Sequence, residues 1–120
     1  MLTIRKDQMA ALATPSISVF LERAVSFLYE NFPESLDEDP GELTEAAGGQ
    51  LERAESYGLV TEQQAMTYIT SAWLLGPEFD KEFPAAKETL VSEDFSPDEK
   101  KVWLSDWTEK IFAALEKEGT

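Results

Sequence analysis

Residues 61–84 read TEQQAMTYITSAWLLGPEFDKEFP, and the two ends of this stretch decide how the rest of the chain is read. Thr61 followed three positions later by Gln64 has the form of a capping box. In that motif a hydroxyl at the helix start accepts from a backbone N–H, and the long polar side chain reaches back to the N–H of the cap. Ala65, Met66, Ile69, Ala72 and Trp73 then recur at the spacing of one helical face. Gly76-Pro77 stops the run, since proline cannot continue a helix and disfavours the helical region for the residue ahead of it. Beyond the stop, Phe79 and Phe83 stand four apart across Asp80-Lys81-Glu82. Both rings are expected to fold back over the end of the preceding helix beside Trp73, leaving the acids in water. Residues 73–84 are therefore read as a pinned corner, with no acidic site required.

The same punctuation recurs in both directions. Thr14-Pro15 is a cap with proline in the first turn. The run after it places Ile17, Phe20, Leu21, Ala24, Phe27 and Leu28 on one stripe and should end before Pro33. Asp39-Pro40 repeats the start signal, and the following helix carries Leu43, Ala47, Leu51 and Ala54 on one face, with Gly58 suited to a left-handed end. Gly48 and Gly49 interrupt its good helix formers, which calls for either a close crossing or a break. Pro84 starts a short helix to about Leu90. Ser96-Pro97-Asp98-Glu99 combines cap, proline and box glutamate, and opens a last helix with Trp103, Trp107, Ile111 and Leu115 at steps of four. Alternating β-branched runs and Asn-Gly or Asp-Gly turns are missing. The sequence predicts an all-α fold, a compact single-domain bundle of about five or six helices over residues 1–120.

Composition narrows the function classes. The 120 residues hold 24 acidic and 10 basic side chains, for a net charge of −14. Such a surface repels nucleic acid and anionic membranes and favours a basic protein partner. With no cysteine and no histidine, there is no thiolate nucleophile, no Cys or His metal ligand, and no imidazole base. No Gly-x-Ser-x-Gly elbow or Gly-rich phosphate loop is present, so no cofactor is expected and an enzyme is disfavoured. A carboxylate-dependent hydrolase stays open as an alternative, although no spacing nominates a pair of acids across a cleft. A self-assembling structural subunit is a third class. No signal-peptide core or membrane span is legible, and a cytoplasmic location is expected.

The candidate binding residues come from two places. Between Glu30 and Glu45 stand seven acids and no Lys or Arg. Glu34, Asp37, Glu38, Asp39 and Glu42 are the electrostatic candidates for steering a basic partner, against the plain alternative of a solvated loop and an acid-rich helix start. Trp103 and Trp107 share a helix face and are either core or anchors for a partner.

Three short motifs carry a resemblance. Ile4, Arg5, Gln8 and Met9; Tyr57, Gly58, Leu59, Thr61 and Glu62; and Leu75, Gly76, Pro77, Phe79 and Asp80 match, in order, the loose pattern I-R-x-x-Q-M, Y-G-L-x-[ST]-E, L-G-P-x-F-D. The chain thus resembles a family of small all-α bacterial accessory proteins encoded beside type VI secretion systems and their effector toxins. The resemblance implies a protein that acts by binding: an adaptor or chaperone holding a secretion-associated effector, or alternatively a cytoplasmic immunity protein neutralising a toxin. The acid-rich segment and the tryptophan helix lie outside the pattern, where partner choice would reside.

Overall fold

The computed structural model describes residues 14–119, and among these the chain is all-α. Six α-helices follow one another: α1 (Thr14–Asn31), α2 (Pro40–Ser56), α3 (Glu62–Leu75), α4 (Phe79–Glu82), α5 (Pro84–Val91) and α6 (Pro97–Gly119). One 3-10 helix, Pro33–Asp37, stands between α1 and α2. The motif at Ile4, Arg5, Gln8 and Met9 lies outside the described residues. Proximity of backbone segments divides the chain into two compact units, Met1–Gly48 and Gly49–Thr120.

In the first unit, α1 buries Phe20, Ala24, Val25 and Leu28. Phe27, expected on that stripe, is 39% exposed, whereas Val25, outside it, is buried. The Phe27 ring instead meets Phe32 edge-on at 6.3 Å. The helix closes as the Phe32 N–H donates to the Leu28 carbonyl at 2.8 Å. Ser35 then anchors the 3-10 turn. It is fully buried, and its hydroxyl lies 2.9 Å from the Leu28 carbonyl and 2.7 Å from that of Phe32. Asp39 starts α2 as the Asp-Pro pair predicts, accepting from the Glu42 N–H on Oδ2 at 3.1 Å.

Gly48 and Gly49 produce no break, since α2 runs helical through both. Among the described residues they serve no close crossing either. Of the described residues, a methyl at Gly48 would meet only Leu21 Cδ1 at an ordinary 3.8 Å, and one at Gly49 would meet none within 4 Å.

In the second unit, α3 packs on α4 and α6, and α5 packs on α4 and α6. Both capping boxes form. Thr61 accepts from the Gln64 N–H while the Gln64 amide oxygen accepts from the Thr61 N–H. Ser96 and Glu99 exchange the same pair of bonds at 3.1 and 2.7 Å. Two glycines take up positive φ, where a Cβ is strained: Gly58 (87°) after α2 and Gly76 (113°) at the end of α3.

In the last helix the buried stripe is not the one marked by the large apolar residues. The stripe of α6 that is buried is Lys100, Leu104 and Thr108, one residue away from Trp103, Trp107, Ile111 and Leu115. Trp103, Trp107 and Ile111 are half-buried, and Leu115 is 46% exposed. Two polar residues can occupy the buried stripe because each finds a partner. The Lys100 ammonium donates to the Tyr57 carbonyl at 3.0 Å, at the end of α2 where a cation is favoured. Thr108 and Ser71 share a hydroxyl–hydroxyl bond of 2.7 Å between α6 and α3.

Candidate functional site

The acidic candidates keep to one short segment of the first unit. Glu34 and Asp37 stand on the 3-10 turn, Glu38 and Asp39 in the link, and Glu42 in the first turn of α2. All five are exposed, and none forms an ion pair with a described residue. Leu36 projects among them, 66% exposed. Its neighbour Ser35 points the other way into the protein, so the turn that buries the serine presents the leucine. Asp39 also caps α2 and Glu42 stands in its first turn, so a solvated loop leading into an acid-rich helix start describes the placement of the segment equally well.

The tryptophans lie in the second unit. Trp103 and Trp107 stack with ring centroids 5.2 Å apart and planes 15° from parallel. The Phe83 ring meets Trp107 edge-on at 5.3 Å, and Phe79 approaches Trp107 at 6.4 Å. Phe79 in turn lies 4.9 Å from Tyr68, and Tyr68 lies 6.0 Å from Tyr57. A line of aromatic rings thus runs from the end of α2 through the core to the half-buried face of α6. Quadrupole interactions favour such offset and edge-on contacts over face-to-face ones.

The corner at residues 76–84 corrects two expectations. Phe79 does fold back and is fully buried, but it packs on Tyr68 and Trp107. More importantly, Asp80 does not stay in water: it is 2% exposed. Its Oδ2 accepts from the Tyr57 hydroxyl at 2.6 Å and its Oδ1 from Arg53 Nη1 at 3.2 Å. Arg53 also donates to the Pro77 carbonyl at 2.7 Å, and its Nη2 pairs with Glu78 Oε2 at 2.7 Å. The guanidinium therefore ties the C-terminal turns of α2 to the corner at three points, a fork that lysine could not reproduce. Lys81 supports Glu78 from the other side at 3.3 Å.

The electrostatics follow from these contacts. Burial, then the hydrogen bond to Asp80 and its negative charge, pushes the Tyr57 hydroxyl up to about 12. Burial chiefly, with the charge on Asp80 added, drives Tyr68 up as well. Burial pulls the Arg53 guanidinium down, but the Glu78 bond and the charges of Asp80 and Glu78 outweigh it and raise the group. Hydrogen bonds from Arg53 and Lys81 lower Glu78. The Tyr68 hydroxyl and the Gln50 amide oxygen are buried without a hydrogen-bond partner among the described residues.

Chemically, the Asp80 cluster is a brace. Each carboxylate oxygen accepts a bond, which holds the group in place. No group of three or more acidic side chains among the described residues is placed to hold a metal ion, and none of the described helices is long and apolar enough to cross a membrane. The sequence did contain a signal for the brace: Tyr57 and Asp80 both occur in the quoted motifs, yet Arg53 does not. Comparison of the chain with protein-family models, with curated proteins and with solved structures gives no match.

Proposed function

We propose that this chain is a protein-binding accessory module of the cytoplasm, acting as an adaptor or chaperone for a basic, secretion-associated effector and carrying out no catalysis of its own. The observation that carries the reading is the acid segment. Glu34, Asp37, Glu38, Asp39 and Glu42 are all exposed, without an ion-pair partner among the described residues, around the exposed Leu36. Carboxylates so disposed speed the approach of a positively charged partner, and their effect falls as salt screens them. Leu36 adds an apolar contact at the centre of the charge, the arrangement found where a buried anchor is ringed by polar groups.

The test begins with the tagged chain used as bait in its native cell at low and moderate salt, followed by association kinetics with the protein it retains. Reversal of Glu34 and Glu38 to Lys is the informative variant, because Asp39 is needed to cap α2. Slower association in the double reversal, with a matching loss in wild type at high salt, supports the reading. Equal rates at every salt concentration for both chains sink it. A retained partner whose toxicity the chain abolishes would move the role from adaptor to immunity protein.

A further inference from the structure

We infer that the corner formed by α2, α3 and the Pro77 turn binds a buried water molecule, held by the Tyr68 hydroxyl and the Gln50 amide oxygen. Both atoms are buried without a hydrogen-bond partner among the described residues. Tyr68 is a fully buried residue of α3, and Gln50 projects from α2. The two residues belong to the same compact unit, Gly49–Thr120. A buried polar atom left unpaired is costly, and folded proteins pair nearly all of them with a protein group or an ordered water.

The two oxygens border one cluster. Gln50 Nε2 donates to the Pro77 carbonyl at 3.4 Å, and Arg53 Nη1 meets the same carbonyl at 2.7 Å. That donation fixes the orientation of the Gln50 amide and leaves its oxygen as the buried end. Arg53 Nη1 continues to Asp80, the acceptor of the Tyr57 hydroxyl. The Tyr68 ring packs on Phe79, next in the chain to Asp80, and on Tyr57. Beyond the effect of burial, the Tyr68 hydroxyl responds to the charges of Asp80 and Arg53, so it faces this cluster. A water suits the pair of oxygens. The tyrosine O–H can donate to it, and it can donate to the amide oxygen, which only accepts. N–H groups of Arg53 and lone pairs of Asp80 offer further partners, in keeping with the roughly three bonds that a buried water makes. This inference does not depend on the proposed function, which rests on the acid segment of the first unit.

Denaturant unfolding of Tyr68→Phe, Gln50→Met and the double variant tests the site, together with oxygen-17 relaxation dispersion of water on the parent and the double variant. Phenylalanine keeps the ring contacts and removes only the hydroxyl. If that hydroxyl is bound to water, Tyr68→Phe should lower the folding equilibrium constant on the order of 10-fold. The two single losses should not multiply in the double variant, because the residues share one partner. The parent should also hold a long-lived water that the double variant lacks. A Tyr68→Phe chain as stable as the parent, or more so, would overturn the site, as would single losses that multiply in full. Equal numbers of long-lived waters in the parent and the double variant would overturn it too, and would assign any coupling to a direct contact between side chains.

Discussion

Five carboxylates between Glu34 and Glu42 stand in water, whereas Asp80 is buried, and the same chemical group does opposite things in the two regions. At the acid segment charge is left unneutralised among the described residues and bears only weakly on the fold. At the corner, Asp80 is held by Arg53 and Tyr57, so it acts only locally and strongly. A buried charge is tolerated when it is paired and fully hydrogen-bonded. What separates the regions is the supply of donors. A chain with 10 basic residues against 24 acidic ones concentrates one arginine on the corner and leaves the 34–42 segment bare.

The contrast can be broken most directly at its buried side. Asp80→Ala removes the acceptor for two donors and should cost about 3 kcal/mol in denaturant unfolding, the lower end for a broken buried pair because Arg53 retains Glu78 and some access to water. A loss below about 1 kcal/mol would mean that the corner does not depend on its carboxylate. Tyr57→Phe deletes one charge-assisted bond without disturbing the ring contacts, and about 2 kcal/mol is expected.

Tyr57 also gives a dependence on pH. Its hydroxyl is raised from 10.0 to about 12 in the folded chain, so the folded state holds that proton more tightly than the unfolded one. The resulting stability is fully present below pH 10 and is lost as pH rises towards 12. Titration of tyrosinate absorbance in a Tyr29→Phe background should show no ionisation until well above pH 10, with the release coinciding with unfolding. Early, reversible ionisation of one tyrosine would contradict the bond to Asp80.

The exposed side of the comparison predicts smaller effects. Asp39→Ala removes the cap of α2 and should cost about 1 kcal/mol. Glu34→Gln with Glu38→Gln should leave unfolding within about 0.5 kcal/mol of the parent, even though the pair is expected to matter for association. A larger stability change at Glu34 or Glu38 would blur the distinction between the two regions and assign the acid segment a part in the fold.

How legible these features were depends on the range of the interaction. The helix starts at Thr61, Ser96 and Asp39 are written in three or four consecutive residues, because a cap is a bond between near neighbours, and each forms as read. The stops at Gly58 and Gly76 are equally local. Asp80 was misread because its partners lie 27 and 23 positions away, and nothing in Phe79-Asp80-Lys81-Glu82 by itself says which polar side chain will be met by a returning helix. The buried face of α6 was not legible for a related reason. Tryptophan draws attention as the largest apolar group, yet Lys100 and Thr108 are buried beside Leu104 because distant groups, the Tyr57 carbonyl and the Ser71 hydroxyl, complete their bonds. Of the candidate binding residues, the exposure of the acids was readable from their density, while the half-burial of the tryptophans was not.

Gln64 has a consequence for how the second unit assembles. Its amide oxygen completes the cap of α3 by accepting from the Val60 and Thr61 N–H groups, and its amide nitrogen donates to Asp98 Oδ1 at 2.9 Å, in the first turn of α6. One buried side chain therefore serves the start of one helix and fixes the start of another 34 positions later. The cap of α3 is made by near neighbours, whereas the bond to Asp98 joins groups 34 positions apart in the chain. Through Gln64 the side chain that completes the local signal at residue 61 is also a point of attachment for the first turn of the last helix.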